Sequence, residues 1–252
     1  MGFAADRLAG AVQVVVSELR QQELAGLLGV PPERIVVVPN GIDAGKFLKL
    51  ESQTREFIEH LNLLQAAPLL LLPVRITPRK NIELALQVLA ELRRDLFPQA
   101  VLVVTGPLGP HNPANVQYFK RLADLRQQLG LTEAAHFLAE LTSDFLPDEV
   151  IADFYRLADA LFLPSREEGF GIPVLEAGLA GLPVFCSDIP PLRSLGGDQA
   201  LYFSPEANPQ EVAAQVARRL AADPIYELRQ RVRRSFTWEH VYREKIAPLL
   251  TR

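Results

Sequence analysis

The chain has 252 residues, 48% of them hydrophobic and 22% charged, with a formal net charge of −4 and a single cysteine. That length suits one large or two smaller domains and supplies ample material for a core. The mild negative charge gives no electrostatic case for nucleic acid, and Cys186 standing alone excludes an intrachain disulfide or a multi-cysteine metal site.

The first predicted elements are a strand over 11–17, a helix over 18–28 and a strand at 34–38. Continuous Val and Ile runs joined by a helix are the pattern of a parallel unit buried on both faces. Pro39-Asn40-Gly41 ends this unit. The residues that follow do not alternate as a hairpin strand would, so an interdomain turn is expected. An amphipathic helix is predicted over 52–65, with Phe57, Ile58, Leu61 and Leu64 on one side. Strands are then expected near 69–74, 100–105, 135–138, 160–163, 183–186 and 200–203. Helices are expected between them near 80–96, 114–129, 148–158, 172–180 and 190–195. The helix at 80–96 shows its stripe: Ile82, Leu84, Ala85, Val88, Leu89 and Leu92 are apolar, while Glu83, Gln87, Glu91 and Arg93 face out. Three more helices, near 208–222, 225–235 and 238–250, close the chain. Regular alternation with short connections predicts an α/β fold: a Rossmann-like parallel sheet with helices on both faces. The strands at 11–38 have no sheet of their own in this scheme, and their edges are expected to be exposed or covered by something else.

The stretch Ser165-Arg166-Glu167-Glu168-Gly169-Phe170-Gly171-Ile172-Pro173-Val174-Leu175-Glu176 follows the apolar run Ala160-Leu161-Phe162-Leu163 and opens a helix. Carboxyl ends of strands in open α/β sheets are where ligands bind. Glycines there allow close backbone approach and leave N–H groups free. Pro173 fits the first helical turn. A carboxylate beside a helix amino terminus competes with phosphate, so Glu168 and Glu176 read better as acceptors for hydroxyls. The same residues also suit a plain strand-to-helix turn with solvent-facing acids. Arg75 and Lys80, in Val74-Arg75-Ile76-Thr77-Pro78-Arg79-Lys80-Asn81, stand after another predicted strand and offer the positive charge a phosphate requires, or simply a solvated basic loop. Gly106 follows a third strand, where a ligand could lie close. Cys186, within Pro183-Val184-Phe185-Cys186, reads as a small core hydrophobe. The histidines His60, His111, His136 and His240 form no site by spacing.

The spacing of Glu168 and Glu176 resembles the Glu-x7-Glu signature of the GT-B retaining glycosyltransferases of family 4, the "glycosyl transferases group 1" domain. The Arg75…Lys80 pair is similar to that family's donor-phosphate pair. Val38-Pro39-Asn40-Gly41-Ile42-Asp43 resembles the junction between the family's two Rossmann domains, and Phe236-Thr237-Trp238-Glu239 the start of its last helix. The resemblance implies that Arg75 and Lys80 hold the diphosphate of a nucleotide sugar, UDP-, GDP- or ADP-linked, as substrate, with no cofactor. It implies that Glu176 binds the ribose, that Glu168, Gly169, Phe170, Gly171 and Ile172 line the donor sugar, and that Leu138 to Leu141 lie against the base, with Gly106 near the phosphates. It implies no metal, and the sequence has no Asp-x-Asp motif. The chain departs from the family pattern at Val74, where glycine is common, and at Gly106-Pro107-Leu108-Gly109 in place of Gly-x-Gly.

The implied organisation is a remnant of the acceptor-side domain over 1–43, a donor-binding domain over 44–236, and a terminal helix over 237–252 that crosses back. The acceptor stays open. Two other functions remain in view: a non-catalytic nucleotide-sugar-binding subunit that needs a partner chain, and a nucleotide-sugar epimerase on the same fold. No apolar run approaches the roughly 18 residues of a membrane span, and no secretory signal is visible. A cytoplasmic protein is therefore expected, with self-association through the exposed first strands.

Overall fold

The computed structural model describes residues 11–108, 113–142 and 145–251, so Gly109 and His111 lie outside the described residues. The chain divides into two compact units, one comprising the residues up to Phe47 and again from Leu228, the other Leu48–Glu227.

In the first unit, β1 (Gln13–Val15) and β2 (Ile35–Val37) pair in parallel, Gln13 opposite Ile35, with α1 (Glu18–Leu28) between them. The predicted first strand stops early because Ser17 turns the chain: its hydroxyl accepts from Arg20 N at 3.3 Å and caps α1. The two strands thus make a small sheet of their own, with Val12, Val14 and Val16 exposed. After β2, Ile42 N donates to Phe236 O at 2.7 Å and Trp238 N to Ile42 O at 3.3 Å, so the two distant motifs around Asn40 and Trp238 meet. A short helix, α2 (Ala44–Phe47), follows.

The second unit begins with α3 (Ser52–His60), which ends earlier than its apolar stripe suggested. Asn62 takes the left-handed conformation (φ 51°) and a 3-10 turn over Leu63–Gln65 replaces the last helical turn. There follow β3 (Leu69–Leu72), α4 (Ile82–Asp95), β4 (Val101–Val104), α5 (Pro113–Gln128), β5 (Ala135–Phe137), α6 (Asp148–Leu157), β6 (Ala160–Leu163), α7 (Ile172–Leu179), β7 (Val184–Ser187), α8 (Pro190–Gly196), β8 (Leu201–Phe203) and α9 (Pro209–Ala221). The six strands β3 to β8 form one parallel sheet in the order β5-β4-β3-β6-β7-β8. This is the Rossmann order, and it reverses between β3 and β6. Right-handed crossovers then place α4 and α5 on one face and α6, α7 and α8 on the other. Consistent with this, α4 packs on α5 and α9, α7 on α8, and α3 on α6. Every residue of β3, β4, β6 and β7 is buried, as a sheet covered on both faces requires.

The last helices are α10 (Pro224–Ser235), which leads back into the first unit, then α11 (Trp238–Val241), a π segment over Tyr242–Ile246, and α12 (Ala247–Leu250). The expected single helix over 238–250 is interrupted because Pro248 cannot donate to the ladder. The ring widens just before it, with Ala247 N donating to Tyr242 O.

One buried carboxylate organises the start of the second unit. The Glu51 side chain does not cap α3, and Asp153 of α6 does so in its place. Asp153 is fully buried, accepts from Glu51 N at 2.8 Å and Thr54 Oγ1 at 2.6 Å, and pairs with Arg156. Asp153→Ala is expected to lower unfolding free energy by about 2–4 kcal/mol, since the orphaned donors stay buried. Urea denaturation checks this, and an unchanged midpoint would contradict it.

Candidate functional site

The two loops that leave the sheet at its reversal run after β3 and after β6, and these carry the basic and the acidic residues singled out in the sequence. Lys80 lies in a 3-10 turn over Pro78–Lys80, ahead of Asn81, whose left-handed backbone (φ 52°) starts α4. Asparagine tolerates that conformation better than most residues. Its side-chain amide donates to Pro164 O at 3.0 Å and Pro205 O at 2.9 Å, tying the β3 loop to the ends of β6 and β8. Arg166 N donates to Arg79 O at 2.8 Å, a second clasp between the loops.

Within this frame Lys80 Nζ donates to Glu168 Oε1 at 2.6 Å, and the two side chains are only 10% and 8% exposed. Ser165 Oγ donates to the same oxygen at 2.8 Å. Two charges taken out of water cost more than they return unless the geometry is close and further hydrogen bonds are supplied. Here both conditions hold. The lysine read as a phosphate ligand and the acid read as a sugar ligand are therefore direct neighbours, a relation their spacing did not reveal. Thr77 Oγ1 and Asn81 Oδ1, in the same turn, are buried without a hydrogen-bond partner among the described residues. Polar atoms left this way call for a ligand or water.

The other residues picked out in the sequence divide into exposed and buried sets. Arg75 is exposed and stacks over the Phe145 ring at 5.9 Å, with no ion pair among the described residues. Gly169, Phe170 and Ile172 are exposed at the mouth of α7. Gly171 is the α7 cap at φ 103°, and a Cβ there would stand 2.7 Å from Leu192 Cδ2, so the turn requires glycine on both counts. Leu138 is fully buried in the 3-10 turn after β5, while Leu141 is exposed. Gly106 faces its own chain: a Cβ would lie 1.9 Å from Val74 O and 2.6 Å from Arg75 N. Its close approach is to the β3 loop, which also bridges Ile76 to Leu108.

Glu176, on the second turn of α7, accepts from Tyr155 Oη at 2.6 Å. Tyr155 is buried on α6, and burial first, then the Glu176 carboxylate, pushes its phenol well above the ordinary tyrosine range, so it remains a donor. Neither Tyr155 nor Ser165 was picked out in the sequence. A tyrosine two residues from a helix end reads as core, and a serine after a strand as turn.

A separate groove of about 660 Å³ follows the β5 edge and brings His60 and His136 onto one wall with Arg93, Arg126 and Glu140. Of the residues the resemblance assigns to the donor site, it takes Glu140 and Leu141 from the segment placed against the base. The described residues contain no cluster of three or more potential metal ligands, and no helix among them is long and apolar enough to cross a membrane. The Cys186 thiol is buried on β7, and burial pushes its pKa up to about 12.

A parallel sheet in this order, covered by helices on both faces, defines a Rossmann-like α/β fold. Residues 53–235 match the model of the family described as Glycosyl transferases group 1, and the chain belongs to that family. D-inositol 3-phosphate glycosyltransferase of Nocardia farcinica is 32% identical over 198 residues, covering 78% of this chain and 40% of that protein. The enzyme of the same name from Streptomyces bingchenggensis is 31% identical over 228 residues, covering 88% of this chain and 46% of its own length. The chain thus spans less than half the length of these curated relatives. Among solved structures, sucrose-phosphate synthase from Thermosynechococcus elongatus superposes with a TM-score of 0.56 at 24% identity, over 94% of this chain and 57% of that one. Anabaena HepE in complex with UDP-glucose gives 0.56 at 22% identity, over 96% and 64%.

Two measurements test the geometry. Gly106→Ala forces the β3 and β4 loops apart and is expected to cost about 1–3 kcal/mol, read as a melting-temperature drop of roughly 2–10 °C. An unshifted melt would contradict the contact. His136 has its pKa lowered by burial first and then by Arg126. The unfolded chain therefore takes up a proton near the ordinary value of about 6.5 that the folded chain resists. Stability is fully present above that value and falls as pH drops through it toward the folded pKa. His136→Gln is expected to flatten the stability–pH curve as pH falls below about 6.5.

Proposed function

We propose that this chain is the donor-binding half of a retaining GT-B glycosyltransferase of family 4, holding a nucleotide sugar at the crevice between the β3 and β6 loops. The observation that carries this reading is the convergence of Lys80 and Glu168 at that crevice from positions 88 residues apart. Arg75 and Lys80 meet the diphosphate, which would draw Lys80 toward the phosphates while Ser165 retains Glu168. Glu176 accepts from the ribose hydroxyls. Glu168 and the backbone at Gly169, Phe170 and Gly171 face the donor sugar, Ile172 borders it, and Leu138 and Leu141 border the base, with Gly106 setting the course of the phosphate loop.

The chemistry follows from where charge develops. Breaking a glycosyl–phosphate bond leaves an oxocarbenium-like sugar and a more negative diphosphate, and fixed cations aimed at the leaving group stabilise that state most. The sugar passes from the diphosphate oxygen to an acceptor hydroxyl, whose proton goes to the departing phosphate. With the departing phosphate as the proton acceptor, no side chain is needed as general base. The acceptor is left open. Because the chain spans about half or less of the length of the curated relatives it matches, transfer is expected to need acceptor-side residues outside it, whereas nucleotide binding is not. UDP is the first probe, since the HepE structures hold UDP or UDP-glucose; GDP and ADP follow. One buried cysteine suits a reducing compartment such as the cytoplasm.

A thermal-shift titration tests the reading. At about 100 times Kd, a nucleotide adds about 2.7 kcal/mol, which raises the melting temperature by roughly 5–10 °C. Arg75→Ala is expected to weaken binding by about tenfold or more, as loss of a charge-assisted hydrogen bond would, while Lys120→Ala on the surface of α5 leaves it unchanged. Absence of any shift with UDP, GDP and ADP rejects the donor site.

A further inference from the structure

We infer that Tyr155 is a positioning residue for ribose recognition: its hydroxyl fixes one oxygen of Glu176 so that the other is presented to the sugar diol of the nucleotide. The inference rests on the donor-site reading and adds to it a residue from a different helix.

Tyr155 is 4% exposed on α6, and its ring is held in the core of the second unit. Its hydroxyl reaches α7 and donates to Glu176 Oε2 at 2.6 Å. That length is typical of an O–H···O⁻ bond to a charged acceptor. Among the described residues Tyr155 is the only group bonded to the Glu176 carboxylate, and it takes Oε2, leaving Oε1 with no donor among them. Glu176 is itself half-buried on the second turn of α7. A glutamate has three side-chain torsions, the last of them soft, and when free it samples many orientations. Locking one oxygen to a rigid, buried phenol removes most of that freedom before a ligand arrives. A diol then meets an acceptor already in place and loses less entropy on binding. The phenol stays protonated because burial and the adjacent carboxylate both oppose its ionisation, so the bond persists across the neutral pH range.

An inter-helix tie with no part in binding makes a different prediction, and ribose chemistry separates the two. The affinity of the binding nucleoside diphosphate, taken from UDP, GDP and ADP, is compared with that of its 2′,3′-dideoxy counterpart in wild type, Tyr155→Phe and Glu176→Gln. Melting curves on each protein establish that it is folded. Wild type is expected to prefer the ribonucleotide by about tenfold or more, and Tyr155→Phe to cut that preference at least threefold while leaving the dideoxy affinity within about twofold. Glu176→Gln is expected to reduce the preference as well, and the double variant to go little further than either alone. If Tyr155→Phe weakens both nucleotides equally, or neither, the tie is structural only and the inference is overturned while the donor site stands. If wild type binds nucleotide without discriminating the diol, Glu176 does not read the ribose and the inference fails. If wild type binds no nucleotide at all, the donor-site reading fails and takes the inference with it.

Discussion

The whole arrangement depends on one topological constraint. A right-handed crossover can place its helix on only one face of the sheet for a given direction of travel. The chain moves outward from β3 to β4 and β5, then must return across β3 to lay down β6, β7 and β8 on the other side. At that reversal the β3 and β6 loops turn toward opposite faces and leave a crevice between them. Asn81, by bonding the carbonyls of Pro164 and Pro205, ties the β3 loop to the ends of β6 and β8 and fixes the spacing of the loops. The Arg166–Arg79 backbone bond does the same from the other loop.

The Lys80–Glu168 pair is the consequence of placing opposite charges at both lips of such a crevice. Buried as it is, it contributes little net stability, since desolvation offsets most of the attraction. What it supplies is position. A lysine on a four-carbon stem is mobile unless held, and here it is held against a carboxylate that Ser165 also anchors. In the proposed donor complex a diphosphate would take the place of the carboxylate as partner of Lys80, because it offers a stronger set of acceptors. On that proposal Glu168 would stay oriented by Ser165 and be left to meet the sugar hydroxyls.

The same logic of support from a neighbouring element recurs around the sheet. Asp153 of α6 caps α3, and Tyr155, two residues further along α6, holds Glu176 of α7. Gly106 at the end of β4 has no room for a side chain because the β3 loop passes over it. Residues of the first rank are placed by residues of ordinary composition, and their order in the chain carries no sign of it.

By itself the sequence determined the local elements: the apolar runs gave β3, β4, β6 and β7, the amphipathic stripe gave α4, and the Gly-Phe-Gly turn with Pro173 gave the start of α7. It also placed Arg75, Lys80 and Glu168 in the loops that follow buried strands, and Glu176 in the helix after one of them, since polar clusters after buried strands are visible in periodicity alone. It missed the early end of α3 at Asn62 and the π segment before Pro248, where one residue's backbone requirement overrides the pattern of its neighbours. The strand order, the contact between Lys80 and Glu168 and the bond from Tyr155 to Glu176 came only with the tertiary structure. The strands are alike in composition and buried on both faces, so nothing local says which lies beside which. Contacts between residues 21 or 88 positions apart exist only once that choice has been made by packing.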